Sequence, residues 1–235
     1  MASFPFDAVL FDCDGVLVDS ERITHTVLVD MLGALGWTLT LDEAMRIFVG
    51  KAVRDEAALI EARTGFALTD AWIAAFRARR NAALERDLAG IPGAPAAVAA
   101  LHRRLGGRIA VASGSDRLKL ELQLAKVGLL AAFEGRLFSG HETARSKPWP
   151  DVYLAAAAAL RVAPGRCAVI EDTVTGVTAG VAAGATVFGY RPDAPGHGHS
   201  RADALREAGA VCVFRDMAAL PELLAGWENP ARPPA

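Results

Sequence analysis

The chain has 235 residues, 52% hydrophobic and 22% charged, with a formal net charge of −2 at pH 7. That composition describes a folded protein able to bury a sizeable core in one large or two modest domains, and it gives no electrostatic case for nucleic acid or an anionic membrane. The three cysteines, Cys13, Cys167 and Cys212, are widely spaced without a C-x-x-C pair, which argues against a disulfide framework or a zinc site and for a reducing compartment.

The N-terminus lacks a basic leader, and no apolar run approaches the roughly 20 residues that span a bilayer. A cytoplasmic location is the expectation. Ala8-Val9-Leu10-Phe11 reads as a buried parallel strand, ending in Asp12-Cys13-Asp14-Gly15. Residues 21 to 88 read almost entirely as helix, with Ile23, Val27, Leu28, Met31, Leu32 and Leu35 at helical spacing. The breaker Gly90-Ile91-Pro92-Gly93 closes that segment.

Beyond it, strand-like stretches alternate with alanine-rich helical ones. The strands are expected at Ile109–Ser113, Arg136–Ser139, Ala168–Asp172, Thr186–Gly189 and Ala210–Phe214. Such alternation implies an α/β fold, a Rossmann-like doubly wound parallel sheet with helices on both faces. The Gly/Pro loop at 192–200 carries His197 and His199, where a solvated loop is favoured over a metal site. Residues 226–235 read as a disordered tail.

In open α/β sheets ligands bind beyond the carboxyl ends of strands, and four strand ends here carry polar groups. Asp12 and Asp14 point the same way by strand alternation while Cys13 points into the sheet. Two acids this close need a cation or a proton between them. Ser113-Gly114-Ser115 offers a hydroxyl and unhindered N–H groups for a small anion. Lys147, one of only four lysines in the chain, is presented by the proline-stiffened Ser146-Lys147-Pro148-Trp149-Pro150. Glu171-Asp172 closes an apolar strand, and a hard cation such as Mg²⁺ suits such oxygens.

Taken in order, D-x-D-G-V, S-G-S, K-P and E-D resemble the haloacid dehalogenase superfamily in its phosphatase and β-phosphoglucomutase-like branch, over nearly the whole chain. The resemblance implies a core from residues 1–17 and 90–225, with an inserted α-helical cap at 18–89. Haloacid dehalogenases themselves lack the second aspartate, so Asp14 points away from dehalogenation and towards phosphate chemistry.

By resemblance, Asp12 is a nucleophile forming an aspartyl-phosphate, and Asp14 is the general acid and base. Mg²⁺ would be held by the Asp12 carboxylate, the Asp14 carbonyl and Asp172, with Glu171 a ligand directly or through water. Ser113, Gly114 and Lys147 would bind the phosphoryl oxygens. The expected partner is a small phosphorylated metabolite, without nucleic acid or membrane, for a monomer or homodimer.

The cap and rim are expected to set specificity through Glu21, Thr24, His25, Lys51, Arg54, Ser115 and Arg117. Lys51 and Arg54 are expected one helical turn apart on a common face. In β-phosphoglucomutases a histidine of the first cap helix assists proton handling; the matching position here is Thr24, with His25 turned about 100° away. Those mutases also carry a lysine soon after S-x-S, where this chain has Asp116 and Arg117, and Asp116 is expected to repel a second phosphate. The expected reaction is therefore hydrolysis of a sugar or sugar-acid phosphate, with a phosphosugar mutase or a non-catalytic phosphometabolite sensor as the alternatives.

Overall fold

The computed structural model describes residues 4–193 and 200–228. His197 and His199 lie outside them. Six parallel strands, β1 (Ala8–Phe11), β2 (Ile109–Ser113), β3 (Leu137–Ser139), β4 (Cys167–Glu171), β5 (Thr186–Tyr190) and β6 (Cys212–Phe214), form one sheet in the order β3-β2-β1-β4-β5-β6. The order reverses direction at β1. That places the first acidic motif at the switch point, where the crevice of such a sheet opens.

The strands read as unbroken apolar runs because both faces are covered. Their alternation sorts the core into two layers. Val9, Phe11, Val111 and Ile170 face one cluster with Val98 and Leu124, while Ala8, Leu10, Val169 and Val187 face the other with Tyr153 and Val177. The first layer is covered by α5 (Ala94–Arg104) and α6 (Arg117–Lys126); the second by α7 (Asp151–Ala159), α8 (Val174–Ala182) and α9 (Ala202–Glu207). The last helix (Leu220–Ala225) also packs on the first layer.

Between β1 and α5 the chain forms four helices at Glu21–Gly33, Leu41–Phe48, Ala57–Thr64 and Asp70–Asp87, called α1 to α4 in chain order. They hold their own hydrophobic cluster, centred on Leu28, Leu32, Phe48, Ile60 and Phe76. Thr40 and Glu43 form a reciprocal capping box that starts α2, and Thr69 caps α4. The two chain segments leading into and out of this unit pair with each other. Asp19 N–H donates to the Ala89 carbonyl at 3.0 Å, and Ile91 N–H to the Leu17 carbonyl at 3.0 Å.

Three sequence expectations need correction. Lys51 and Arg54 do not share a helix face: Lys51 lies in a turn, and Arg54 in a 3-10 turn (Val53–Glu56) that follows it. The preceding helix ends at Phe48, where Val49 turns extended, and Gly50 at φ +75° takes a left-handed conformation in the turn that follows. The last strand is shorter than expected, starting at Cys212. The chain also stays against the core further than expected, because the Trp227 ring packs edge-on against Phe188 at 5.2 Å.

Candidate active site

Register brings the strand ends level. Phe11 pairs with Val111 on one side and with Ile170 on the other, so Asp12 emerges beside Glu171 and close to the loop after Ser113. The Asp12 N–H still donates to the Ile170 carbonyl at 3.0 Å, which fixes the first carboxylate to the sheet. Gly15 turns the chain with φ +78°.

Lys147 reaches this point from the loop before α7, across a cis Lys147–Pro148 peptide. Its Nζ lies 2.9 Å from Asp12 Oδ1 and 2.7 Å from Glu171 Oε1. Glu171 Oε1 also accepts from the Tyr153 hydroxyl at 2.8 Å, and Oε2 from the Asp172 and Thr173 N–H groups and the Thr173 hydroxyl. Asp12, Glu171 and Asp172 are all buried, with ligand oxygens within 4.8 Å of one another.

These charges are unevenly matched. Burial raises the Asp12 pKa to about 8; Lys147 opposes that shift, while Glu171, Asp172 and Asp14 add to it. Glu171 stays below its ordinary value because Lys147 and its hydrogen bonds outweigh burial. The same burial would lower Lys147, but Asp12 and Glu171 hold it well above the usual lysine value. One ammonium serves both Asp12 and Glu171, and the hard oxygen donors of Asp12, Glu171 and Asp172 fit Mg²⁺.

Asp14 belongs to a different network. Its carboxylate takes hydrogen bonds from Ser20, from Ser115 Oγ at 2.6 Å and from Gln123 Nε2 at 2.7 Å, with Lys119 Nζ at 2.8 Å. Burial pushes the Asp14 pKa up, but Lys119 and the hydroxyl donors win and hold it far below the carboxylate range. Cys13 packs in the core with Sγ 3.6 Å from Gln123 Oε1. Burial and the two neighbouring aspartates keep its thiol protonated.

The loop after β2 is organised by side-chain caps. Ser113 Oγ accepts from Ser115 N–H at 3.2 Å, and Asp116, not a serine, caps α6 by accepting from Lys119 N–H at 3.0 Å. Asp116 is not the free repelling charge expected from the sequence, because Arg80 of α4 binds it at 3.1 Å. Arg117 is also displaced from its expected role: its guanidinium holds Glu142 and the Leu137 carbonyl, and it does not line the cavity.

A cavity of about 610 Å³ lies between these strand ends and α1, α4 and the segment after α2. Asp12, Asp14, Ser113, Gly114, Ser115 and Lys147 form its floor, and Glu21, Thr24, His25, Lys51 and Arg54 lie on its walls. His25 Nδ1 lies 2.8 Å from the Glu21 carbonyl oxygen. Lys51 pairs with Glu56 at 3.0 Å and Arg54 with Asp70 at 2.6 Å. Sequence reasoning missed Lys119, Gln123, Ser20 and Tyr153 around the two aspartates, and Arg77, Arg80 and His141 on the wall. One signal was available for Lys119: with four lysines in the chain, one set a single helical turn after Ser115 had reason to be examined.

Residues 6–184 match the family model of haloacid dehalogenase-like hydrolases. The chain belongs to that family. It is 30% identical to the 6-phosphogluconate phosphatase of Escherichia coli K12 over 225 residues, covering 94% of this chain and 97% of that protein. Hexitol phosphatase B of the same organism is 32% identical over 75% of this chain and 79% of its own length. Among solved structures, a haloacid dehalogenase family hydrolase from Deinococcus radiodurans R1 with bound phosphate and sodium superposes with a TM-score of 0.75 at 39% identity, covering 94% of this chain and 96% of that one. This haloacid dehalogenase-like hydrolase is therefore an enzyme whose relatives are named as phosphatases, and its helices in the chain span 18–89 line the cavity opposite the acids.

Proposed function

We propose that this hydrolase is a Mg²⁺-dependent phosphatase that cleaves a sugar or sugar-acid phosphomonoester through an aspartyl-phosphate on Asp12. The observation that carries the reading is the Lys147 ammonium set between Asp12 and Glu171 at the floor of a cavity that also holds the Ser113–Ser115 loop.

Asp12, Glu171 and Asp172, with the Asp14 carbonyl, would hold the Mg²⁺. When bound, the ion would add positive charge beside Asp12 and let its carboxylate approach a phosphate dianion. Ser113, the Gly114 N–H and Lys147 then bind the phosphoryl oxygens, a role worth about 2.7–4 kcal/mol per donor in comparable sites. Asp12 attacks phosphorus as the ester P–O bond breaks, and Asp14 gives a proton to the departing alkoxide. Water next attacks the phosphorus, Asp14 takes the proton, and the bond to Asp12 breaks to release inorganic phosphate.

Asp14 is held ionised here by Lys119, Ser115, Ser20 and Gln123, the state required of a base in the second step. Acting as an acid requires it to leave those donors and carry a proton to the leaving group. The helical unit would serve as a cap, since the paired crossing segments at Leu17–Asp19 and Ala89–Ile91 form a narrow junction between it and the sheet.

A screen of phosphorylated metabolites for phosphate release with Mg²⁺, run beside a β-glucose 1-phosphate isomerisation assay, tests the reading. Release of inorganic phosphate from a sugar phosphate is expected. Conversion to glucose 6-phosphate without release would make it a mutase, and binding without turnover a sensor.

A further inference from the structure

Six lysines and arginines line the cavity: Lys51, Arg54, Arg77, Arg80, Lys119 and Lys147. Five of them have a carboxylate within 3.1 Å. Arg77 is the exception among the described residues. Its Nε stands 4.0 Å from Asp116 Oδ2, the oxygen already bound by Arg80 one helical turn along α4, and 42% of its side chain remains exposed. The guanidinium therefore faces the cavity with its hydrogen-bonding fork unused.

From this we propose that Arg77, with His141 beside it, forms a second anion subsite that recognises a carboxylate on the part of the substrate remote from the reacting phosphate. The inference rests on the phosphatase reading and narrows its substrate class to phosphorylated sugar acids.

Three features favour a carboxylate there. A planar carboxylate matches a guanidinium fork with two parallel hydrogen bonds, whereas an alcohol gains little from it. Arg80 is already matched by Asp116, so one positive charge remains for the ligand. Asp55 faces the neighbourhood of His141, and its negative charge disfavours a dianionic second phosphate more than a monoanionic carboxylate. Partial burial, and then the charge of Arg77, hold His141 below the ordinary histidine value. Near neutral pH its imidazole then offers a donor and an acceptor to sugar hydroxyls without adding charge.

The geometry also divides the work between two parts of the chain. The phosphoryl-binding groups stand on strand ends, while Arg77 stands on α4. A substrate with phosphate at one end and carboxylate at the other would bridge them, and the remote contact would help position the reacting end.

The test compares 6-phosphogluconate with glucitol 6-phosphate, which have the same carbon chain and differ at C1 by a carboxylate against a hydroxymethyl group. For the Mg²⁺-loaded enzyme and its Arg77→Met and Arg77→Lys variants, kcat, KM and calorimetric affinity are measured on both compounds. The wild type should prefer 6-phosphogluconate. In Arg77→Met the ratio of the two kcat/KM values should fall about 10- to 100-fold, the range for a charged hydrogen-bonded pair, with Arg77→Lys intermediate. A fall of equal size on both compounds, or no fall on either, overturns the subsite. If neither compound is turned over, the phosphatase reading is decided by the metabolite screen and the subsite by the binding data: Arg77-dependent preference for the carboxylate ligand supports it, and equal affinities reject it.

Discussion

Lys119 Nζ lies 2.8 Å from Asp14 Oδ1, and both side chains are almost completely enclosed. Lys147 pairs with Asp12, so the two aspartates of a single D-x-D motif are held by different lysines. Removing one member of a buried pair leaves the other charge uncompensated and costs more than the pair contributes. Lys119→Met should therefore lower stability by about 3 kcal/mol in urea denaturation. Adding Asp14→Asn to that variant should recover part of the loss, because the amide still bonds Ser20, Ser115 and Gln123 without a charge. A double variant as unstable as the sum of the two singles would show that the pair is not coupled.

Burial and neighbouring carboxylates raise Asp12, and this gives a pH signature. The folded-state pKa of Asp12 is raised from 3.8 to about 8, so between those values the folded protein binds more protons than the unfolded chain. Stability then falls as pH rises through that window. Glu171 is held below its ordinary value and Lys147 above its own, so of these three groups Asp12 is the one moved towards neutral pH. Asp12→Asn should abolish turnover. In chelator it should also melt higher than wild type, by a margin that grows from pH 5 to pH 8 and shrinks when Mg²⁺ is added. A margin independent of pH would contradict the raised value.

The four strand-end motifs were legible because strand alternation and sheet switch-point geometry are local or topological rules, and Asp12, Ser113, Lys147 and Glu171 need only those rules to meet. The helices at 21–88 were legible from the spacing of Leu28, Met31, Leu32 and Leu35. What the sequence hid were contacts set by packing between distant elements. Arg80 neutralises Asp116 from 36 residues away, so the repulsion expected from Asp116 alone disappears. Lys51 and Arg54 fit a helical spacing, but the helix before them ends at Phe48 and a left-handed turn at Gly50 separates it from the 3-10 turn that carries Arg54. Trp227 lies in a stretch whose prolines read as disorder, yet its ring finds Phe188.

Chelation should separate the two acids at the end of β4. EDTA should remove activity and Mg²⁺ should restore it, since the acids and a phosphate dianion need a cation among them. Asp172→Ala should raise the Mg²⁺ concentration needed for half-activation more than Glu171→Ala does. Stability should follow the opposite order. Glu171 is the acceptor for Lys147, Tyr153 and Thr173, and its loss leaves the buried Lys147 ammonium with Asp12 alone and the buried Tyr153 phenol without its acceptor. Full activity in chelator would overturn the metal assignment, and Asp172→Ala melting lower than Glu171→Ala would overturn the structural one.

Gly176 offers the sharpest test of how firmly Glu171 is held. It lies within α8, where alanine is favoured over glycine by roughly 1 kcal/mol on propensity alone. A Cβ at this position, however, would overlap the Glu171 carboxyl group. That carboxyl cannot retreat cheaply, because Lys147 at 2.7 Å, Tyr153 at 2.8 Å and the Thr173 hydroxyl at 3.0 Å fix it from three sides. Gly176→Ala should therefore lose about 1–3 kcal/mol, the cost of overpacking, despite its better helix propensity. It should also raise the Mg²⁺ requirement several-fold as Glu171 is pushed from its place beside Asp12. Thermal melts and Mg²⁺ titrations of activity read the two effects together. A variant that melts higher than wild type with an unchanged Mg²⁺ requirement would mean that Glu171 moves aside freely, and the carboxylate cluster would then be far less rigid than its hydrogen bonds imply.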